Sequence, residues 1–373
     1  MCASDGVSVR PRHTRPCLDR SAAARVRVPN LVPNLSPYLA LTPRRWPYAL
    51  CVSSLLLERT DTSWNRFGGG RRPGQLSAGA KGDVPGFEFA GVVESAGSAV
   101  THVRVGDEVF GVTLFGGYSS RVVVPSHQVF LRPAHLSAMS AAAMPSVAMT
   151  AWFAVTQQAA PIRAGATVLV HSAAGGVGSM LVQLCKIHGW RVVGVVGSSH
   201  KVAECHRLGC DAVIDKSAAK GRSDIWAQAR RLAPKGFAAI FDANGVATLA
   251  GSYAHLAPCG KLIVYGFHTM LPKEGGVLDP LQWLRMAVGW LRTPRFNPLK
   301  MVPENKSVLA FNLSFLFDQK ELLDSAMAEL LGWIESGRLK MPTVTAYPMD
   351  EVRAAHAALE SGKTVGKLVI VPP

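Results

Sequence analysis

The stretch VLVHSAAGGVGSMLVQLCK, residues 168–186, places six small residues in seven between two apolar runs. Ala173, Gly175 and Gly178 occupy the three positions of a G-x-G-x-x-G turn, with Ala174, Gly176 and Val177 between them. Such a turn lets the backbone approach a pyrophosphate, lets a helix pack close to a strand, and offers the helix's unpaired N–H groups and partial positive charge to an anion. The first glycine is alanine here. A second strand, RVVGVV, ends in Gly197, Ser198, Ser199, His200 and Lys201 rather than in the carboxylate that would accept a ribose 2′-hydroxyl. Hydroxyls and a lysine suit a 2′-phosphate, which points to NADPH, and Lys216 after the third strand could add a second cation. Tyr118, at a strand start in GGY, is a weak candidate proton donor, set against the plainer reading that it packs.

These residues need strands and helices to hold them. From about Pro85, FEFAGVVESAG, VGDEVFGV and YSSRVVVPSHQVF alternate β-branched residues with turn residues, as short antiparallel strands of a barrel do. After a helical stretch ending in AMTAWFAV, strand and helix alternate: TVLVH, RVVGVVG, DAVID, FAAIFDA and KLIVYGF each precede or follow a helical segment. Nearly continuous apolar strands of this kind belong to a buried parallel sheet wrapped by helices. The last residues return to strand in KLVIV.

The chain's 373 residues, 48% hydrophobic and 17% charged, supply cores for two ordinary domains. Seven scattered cysteines, never spaced C-x-x-C, suggest neither a disulfide framework nor a zinc cluster, and a reducing compartment is the natural reading. No apolar run reaches the length of a membrane span. Just over half of the net charge of +15 lies in the first quarter of the chain, in a Pro-, Arg- and Ser-rich stretch without periodicity. A basic tail or targeting segment explains it better than a nucleic-acid groove.

Taken together, GFEFAGVVESAG, VGDEVFG, GGYSSRVVVP, AAAMPSVAMTAW, VLVHSAAGGVG, DAVID and AAHAALESGKTVGKLVIV resemble the zinc-free quinone oxidoreductase branch of the medium-chain dehydrogenase/reductase superfamily over about residues 84–373. Within it, ENKSVLAFNLSFLF and the Trp-rich insertion before it are similar to the synaptic-vesicle membrane protein homologues. The resemblance implies an α/β fold with a Rossmann doubly wound parallel sheet inserted in a GroES-like β-barrel catalytic domain. It divides the chain into a basic extension (1–45), a first catalytic part (46–130), a Rossmann domain (131–318) and a C-terminal return (319–373). It also implies that Thr150 lies beside the nicotinamide, that Tyr265, Gly266, Phe267 and His268 form the loop over it, that Ser198, Ser199, Lys201 and Lys216 meet the 2′-phosphate, and that Lys367 is a late cofactor contact. Phe87 stands where zinc alcohol dehydrogenases carry a ligand histidine, and no cysteine lies between Gly106 and Tyr118, so no metal is expected.

Without a Lewis acid the acceptor must be activated already, so the expected reaction is hydride transfer from NADPH to a quinone or enone. A homodimer joined through the outer Rossmann strand near AFNLSFLF and a cytoplasmic location are also expected, with mitochondrial or peripheral membrane location as alternatives. The alternative of another class is a lipid-binding protein with little catalysis. It rests on residues 279–300, where Trp283, Leu284, Trp290 and Leu291 accompany Arg285, Arg292, Arg295 and Lys300. Against it stands the reading of that helix as a cover for the substrate pocket.

Overall fold

The computed structural model describes residues 23–27, 50–51, 84–97, 99–119, 121–267 and 280–371. In chain order they form β1 (Ala23–Arg27), β2 (Leu50–Cys51), β3 (Glu88–Ala96), β4 (Glu108–Val112), β5 (Arg121–Pro125), β6 (Val129–Leu131), α1 (Ala138–Ala142) and α2 (Pro145–Trp152). Next come β7 (Thr167–His171), α3 (Gly176–Ile187), β8 (Arg191–Val196), α4 (Val202–Leu208), β9 (Ala212–Asp215), α5 (Arg222–Leu232), β10 (Phe237–Asp242), α6 (Leu249–Ala254) and β11 (Leu256–Val264). The chain closes with α7 (Pro280–Leu291), α8 (Pro298–Glu304), β12 (Ser307–Ala310), α9 (Lys320–Glu335), β13 (Val344–Pro348), α10 (Val352–Glu360) and β14 (Lys367–Val371).

β7 to β12 build one six-stranded sheet in the order β12-β11-β10-β7-β8-β9, every pair parallel. Val168, Leu169 and Val170 of β7 and Val192, Val193, Val195 and Val196 of β8 are all buried. The sheet is covered on both faces, which is why its strands read as unbroken apolar runs. The chain winds outward from β7 through β9, then crosses back to β10 on the other side of β7. That reversal opens a crevice at the carboxyl ends of β7 and β10.

The other strands form an eight-stranded sheet in which β3 carries β1, β2 and β4 as partners and β14 pairs with β2 and β13. The Rossmann sheet inserted between barrel strands is the architecture that the family resemblance implies. Two details differ from the sequence reading. Ala23–Arg27, within the stretch read as a basic extension, pairs antiparallel with both β3 and β5. The segment after residue 318 does not go straight back to the barrel: α9 first buries Leu323, Ala326, Met327 and Leu330 in the core shared with α2 and α3, and Trp152 Nε1 donates to Glu329 at 2.9 Å.

No helix among the described residues is long and apolar enough to cross a membrane.

Candidate active site

The dinucleotide-type loop leaves β7 at Ser172, whose φ of +53° turns the chain. A Cβ added at Gly178 would stand 2.2 Å from the Ser172 carbonyl oxygen and 2.9 Å from Ala173 Cα, so only hydrogen fits there. At Gly175 the same oxygen would be 3.2 Å away, a looser fit. Ala173, in the first motif position, is fully buried, and an added Cβ on Gly194 of β8 would come within 3.0 Å of its methyl group. A glycine on the neighbouring strand thus makes room for the side chain that the loop itself carries. Gly175 is the N-cap of α3 and no side chain caps the helix. The first amides of α3, including those of Gly176, Val177 and Gly178, therefore lack a side-chain acceptor and suit an anion, so these residues fit the pyrophosphate of a dinucleotide. The C-terminal segment closes the loop: Gly366 N–H donates to the Ala174 carbonyl at 2.9 Å.

At the far edge, Ser198, Ser199 and Lys201 follow β8 as expected, but two of the three are already engaged. Ser199 Oγ donates to Asp215 Oδ2 at 2.5 Å, and Lys201 Nζ donates to the Gly362 carbonyl at 2.6 Å. Burial holds the Lys201 ammonium below the usual lysine range. Lys216 is also held low by burial, and it lies within electrostatic reach of buried Asp242.

At the near edge, Phe153 follows α2 one turn beyond half-buried Thr150. Its ring meets Phe311 at 4.7 Å between centroids, and Tyr265 stacks on Phe311 at 6.4 Å. Burial pushes the Tyr265 hydroxyl well above the ordinary tyrosine range, which leaves it protonated. Gly266 leads to Phe267, which packs on Gly245 so closely that a Cβ there would meet its ring at 2.7 Å. His268 lies outside the described residues.

Two of the expected roles meet different partners. Tyr118 packs its ring against the barrel's own core, edge-on to His356 at 6.2 Å. Lys367 buries its ammonium against Glu88 Oε1 at 2.7 Å, with both side chains 1% exposed. Its stem instead shapes the loop, since a Cβ on Gly176 would lie 3.2 Å from Lys367 Cδ.

Sequence reasoning missed Glu88, Asp215 and a buried network at the crevice floor. Asp242 Oδ1 accepts from Asn244 N–H, Gly245 N–H and Thr248 Oγ, while Oδ2 accepts from Ser252 Oγ. Ser252 Oγ, its proton committed to Asp242, accepts from His171 Nε2 at 3.0 Å. Burial lowers the His171 pKa, so the imidazole is neutral at pH 7. The D-A-N-G phrase after an apolar strand is an Asx-turn signal that could have flagged Asp242.

At the position where zinc alcohol dehydrogenases carry a ligand histidine, the described residues offer no metal ligand. Phe87 packs its ring on Phe115 at 4.9 Å, and a phenyl ring cannot ligate a metal. Among the described residues no three His, Cys, Asp or Glu converge as a metal site.

Known proteins support this architecture. Residues 52–134 match the model for the alcohol dehydrogenase GroES-like domain, and residues 208–370 match the one described as zinc-binding dehydrogenase. The chain is 32% identical over 289 residues to the synaptic vesicle membrane protein VAT-1 homolog of Danio rerio, spanning 77% of this chain and 57% of that protein. The Homo sapiens counterpart is 31% identical over 292 residues, 78% of this chain and 71% of its own. Escherichia coli quinone oxidoreductase complexed with NADPH superposes with a TM-score of 0.70 at 23% identity, covering 94% of this chain and 92% of that one. By its motifs, its two-part fold and these relatives, the chain belongs to the quinone oxidoreductase branch of the medium-chain dehydrogenase/reductase superfamily, close to the VAT-1 homologues.

Proposed function

We propose that the chain reduces a quinone or an α,β-unsaturated carbonyl with NADPH and without a metal. The observation that carries this reading is the pairing of an uncapped α3 N-terminus, in a cradle that admits only glycine at 178, with an aromatic wall of Phe153, Tyr265 and Phe311. NADPH, when bound, supplies the hydride. The α3 amides would hold the pyrophosphate, and Ser198, Ser199 and Lys201 flank the adenosine edge. The aromatic wall excludes water and aligns a flat conjugated acceptor. A conjugated acceptor spreads the arriving charge over its own π system, so neither a Lewis acid nor Tyr118 is needed, and solvent delivers the proton. The NADPH-bound quinone oxidoreductase among the structural relatives supports this choice.

The test is a titration with NADPH and NADH followed by fluorescence, then absorbance of the reduced nicotinamide after adding 9,10-phenanthrenequinone. Saturable binding followed by oxidation is expected. Absence of binding by either cofactor would overturn the reading of the glycine loop, and binding without oxidation would overturn the acceptor class.

A second reading has its own observation. Leu284, Trp290 and Leu291 on α7 and Leu299 and Val302 on α8 are all at least 60% exposed, which does not suit a helix acting only as a pocket cover. With Arg292, Arg295 and Lys300 beside them, they suit the interface of an anionic bilayer, a peripheral contact of a protein otherwise working in the cytoplasm. The side chains of Trp283 and Arg285 lie outside the described residues. The outer edge of β12 is the natural seam of a homodimer, which light scattering at micromolar concentration should detect.

A further inference from the structure

The C-terminal end of α3, about 15 Å along the helix from the glycine loop, lines a second cavity of about 370 Å³, a size that suits a small metabolite. Four cations face it: Lys186 in the last turn of α3, Arg207 in the last turn of α4, and Arg338 and Lys340 in the turn after α9. The first two have ordinary reasons to be there. Each sits at a helix C-terminus, where a cation complements the dipole, and each is paired, Lys186 with Asp211 at 2.9 Å and Arg207 with Glu204 at 2.6 Å. Arg338 and Lys340 have no such account, since among the described residues neither side chain has an ion-pair or hydrogen-bond partner. Their backbone is nonetheless fixed. Leu339 between them is buried and its N–H donates to the Trp333 carbonyl at 2.9 Å, while Gln183 accepts from Lys340 N–H at 2.8 Å and donates to the Lys340 carbonyl at 3.1 Å.

A buried leucine thus anchors a turn that presents one uncompensated cation on either side of it, both toward the same cavity. Two unpaired positive charges call for two negative ones on a single group, which a phosphate monoester carries near neutral pH and a carboxylate does not. The guanidinium can fork two phosphate oxygens while the ammonium adds a point charge. Ile187 and Leu208 supply apolar wall beside them. We propose that this cavity binds a phosphate monoester, its dianionic end held by Arg338 and Lys340 and its carbon portion laid against Ile187 and Leu208. Gln183, with both ends of its amide spent on Lys340, fixes the wall rather than reading the ligand. The site is independent of the NADPH reading, because none of its cations belongs to the glycine loop or to the turn of Ser198 to Lys201. The same dianion occurs free on small metabolites and at the head of phosphatidic acid, and experiment separates the two sources.

The probe is glycerol 3-phosphate, titrated onto the full chain and followed by broadening of its phosphorus resonance. Wild type should broaden it saturably, and the double variant Arg338→Gln, Lys340→Gln should bind at least about tenfold more weakly. A charge-matched control on the α5 side, Arg231→Gln with Lys235→Gln, should change binding less than about twofold. Thermal melting checks that each variant folds, and NADPH titration should give the same result for all three proteins. Absence of saturable broadening, binding that persists in the Arg338 and Lys340 variant, or an equal loss in the control would each overturn the site, the second by placing the anion elsewhere, the α3 cradle included. Flotation with vesicles of phosphatidic acid and phosphatidylcholine then identifies the source. A loss confined to the Arg338 and Lys340 variant supports the site with a lipid headgroup as its ligand, and equal flotation beside lost glycerol 3-phosphate binding supports it with a soluble metabolite.

Discussion

The loop between β7 and α3 and the barrel-side wall at Phe87 achieve specificity by opposite means. In the loop, backbone atoms approach so closely that side chains are excluded, as the 2.2 Å approach at Gly178 requires. At the wall, a bulky ring fills the place where a related enzyme would hold a metal ligand, and Phe115 packs against it. One region works by offering bare polar groups, the other by offering none. The difference teaches that such a protein divides its labour between two kinds of surface. On the proposed function, the main chain would grip the cofactor, while the acceptor would be selected by what the pocket lacks.

The strongest way to break this division is to attack the link between the halves. Glu88, on barrel strand β3, meets Lys367 of β14, and Ser146 N–H at the start of α2 donates to the same carboxylate at 2.9 Å. Replacing Lys367 by Met strands a buried carboxylate, and chemical denaturation should show a loss of about 3–5 kcal/mol. The double variant Glu88→Gln, Lys367→Met should regain most of that loss, since no buried charge is left unpaired.

The loop itself offers a graded test. Gly178→Ala should weaken NADPH binding about 30-fold, equivalent to about 2 kcal/mol of overpacking, because the neighbour in the way is backbone. Gly175→Ala, with its looser 3.2 Å contact, should cost about threefold in the same titration. Equal effects at the two positions would show that close approach is not what the loop is built for.

Smaller again is the contribution of α7. If its exposed face meets lipid, Trp290→Ser with Leu291→Ser should reduce flotation with anionic liposomes several-fold while leaving NADPH binding unchanged. Equal flotation of wild type and variant would remove the lipid reading. The smallest effect is expected at Tyr118: Tyr118→Phe should leave the quinone reduction rate within about twofold of wild type, because its ring sits in the barrel core. A drop of about 100-fold would return the hydroxyl to the chemistry.

The two regions were unequally legible in the sequence. β7, β8 and β10 announce themselves because both of their faces are buried, and the glycine loop because few other reasons exist for so many small residues between a strand and a helix. Ala23–Arg27 did not, since AARVR lies in an arginine-rich stretch whose composition suggests a tail, and its partners in β3 and β5 are far along the chain. Glu88 was hidden inside an apolar phrase, GFEFAG, with its partner 279 residues away. Asp215 was visible as a residue, but its meaning depends on the register of β8 with β9, and no periodicity carries that.

The strap that Gly366 lays on Ala174 bears on when the cradle comes into being. Gly366 has φ +67°, and a Cβ there would strike the Thr343 carbonyl oxygen at 2.1 Å, so this tight crossing is written into a residue far along the chain from the loop it closes. Bringing such distant segments together carries a loop-closure cost. The cradle is therefore complete only when the C-terminal strand is in place against the loop. A nucleotide that binds it favours by mass action the fully assembled chain over every partly folded one, and so acts as a seal on finished protein as well as a reactant.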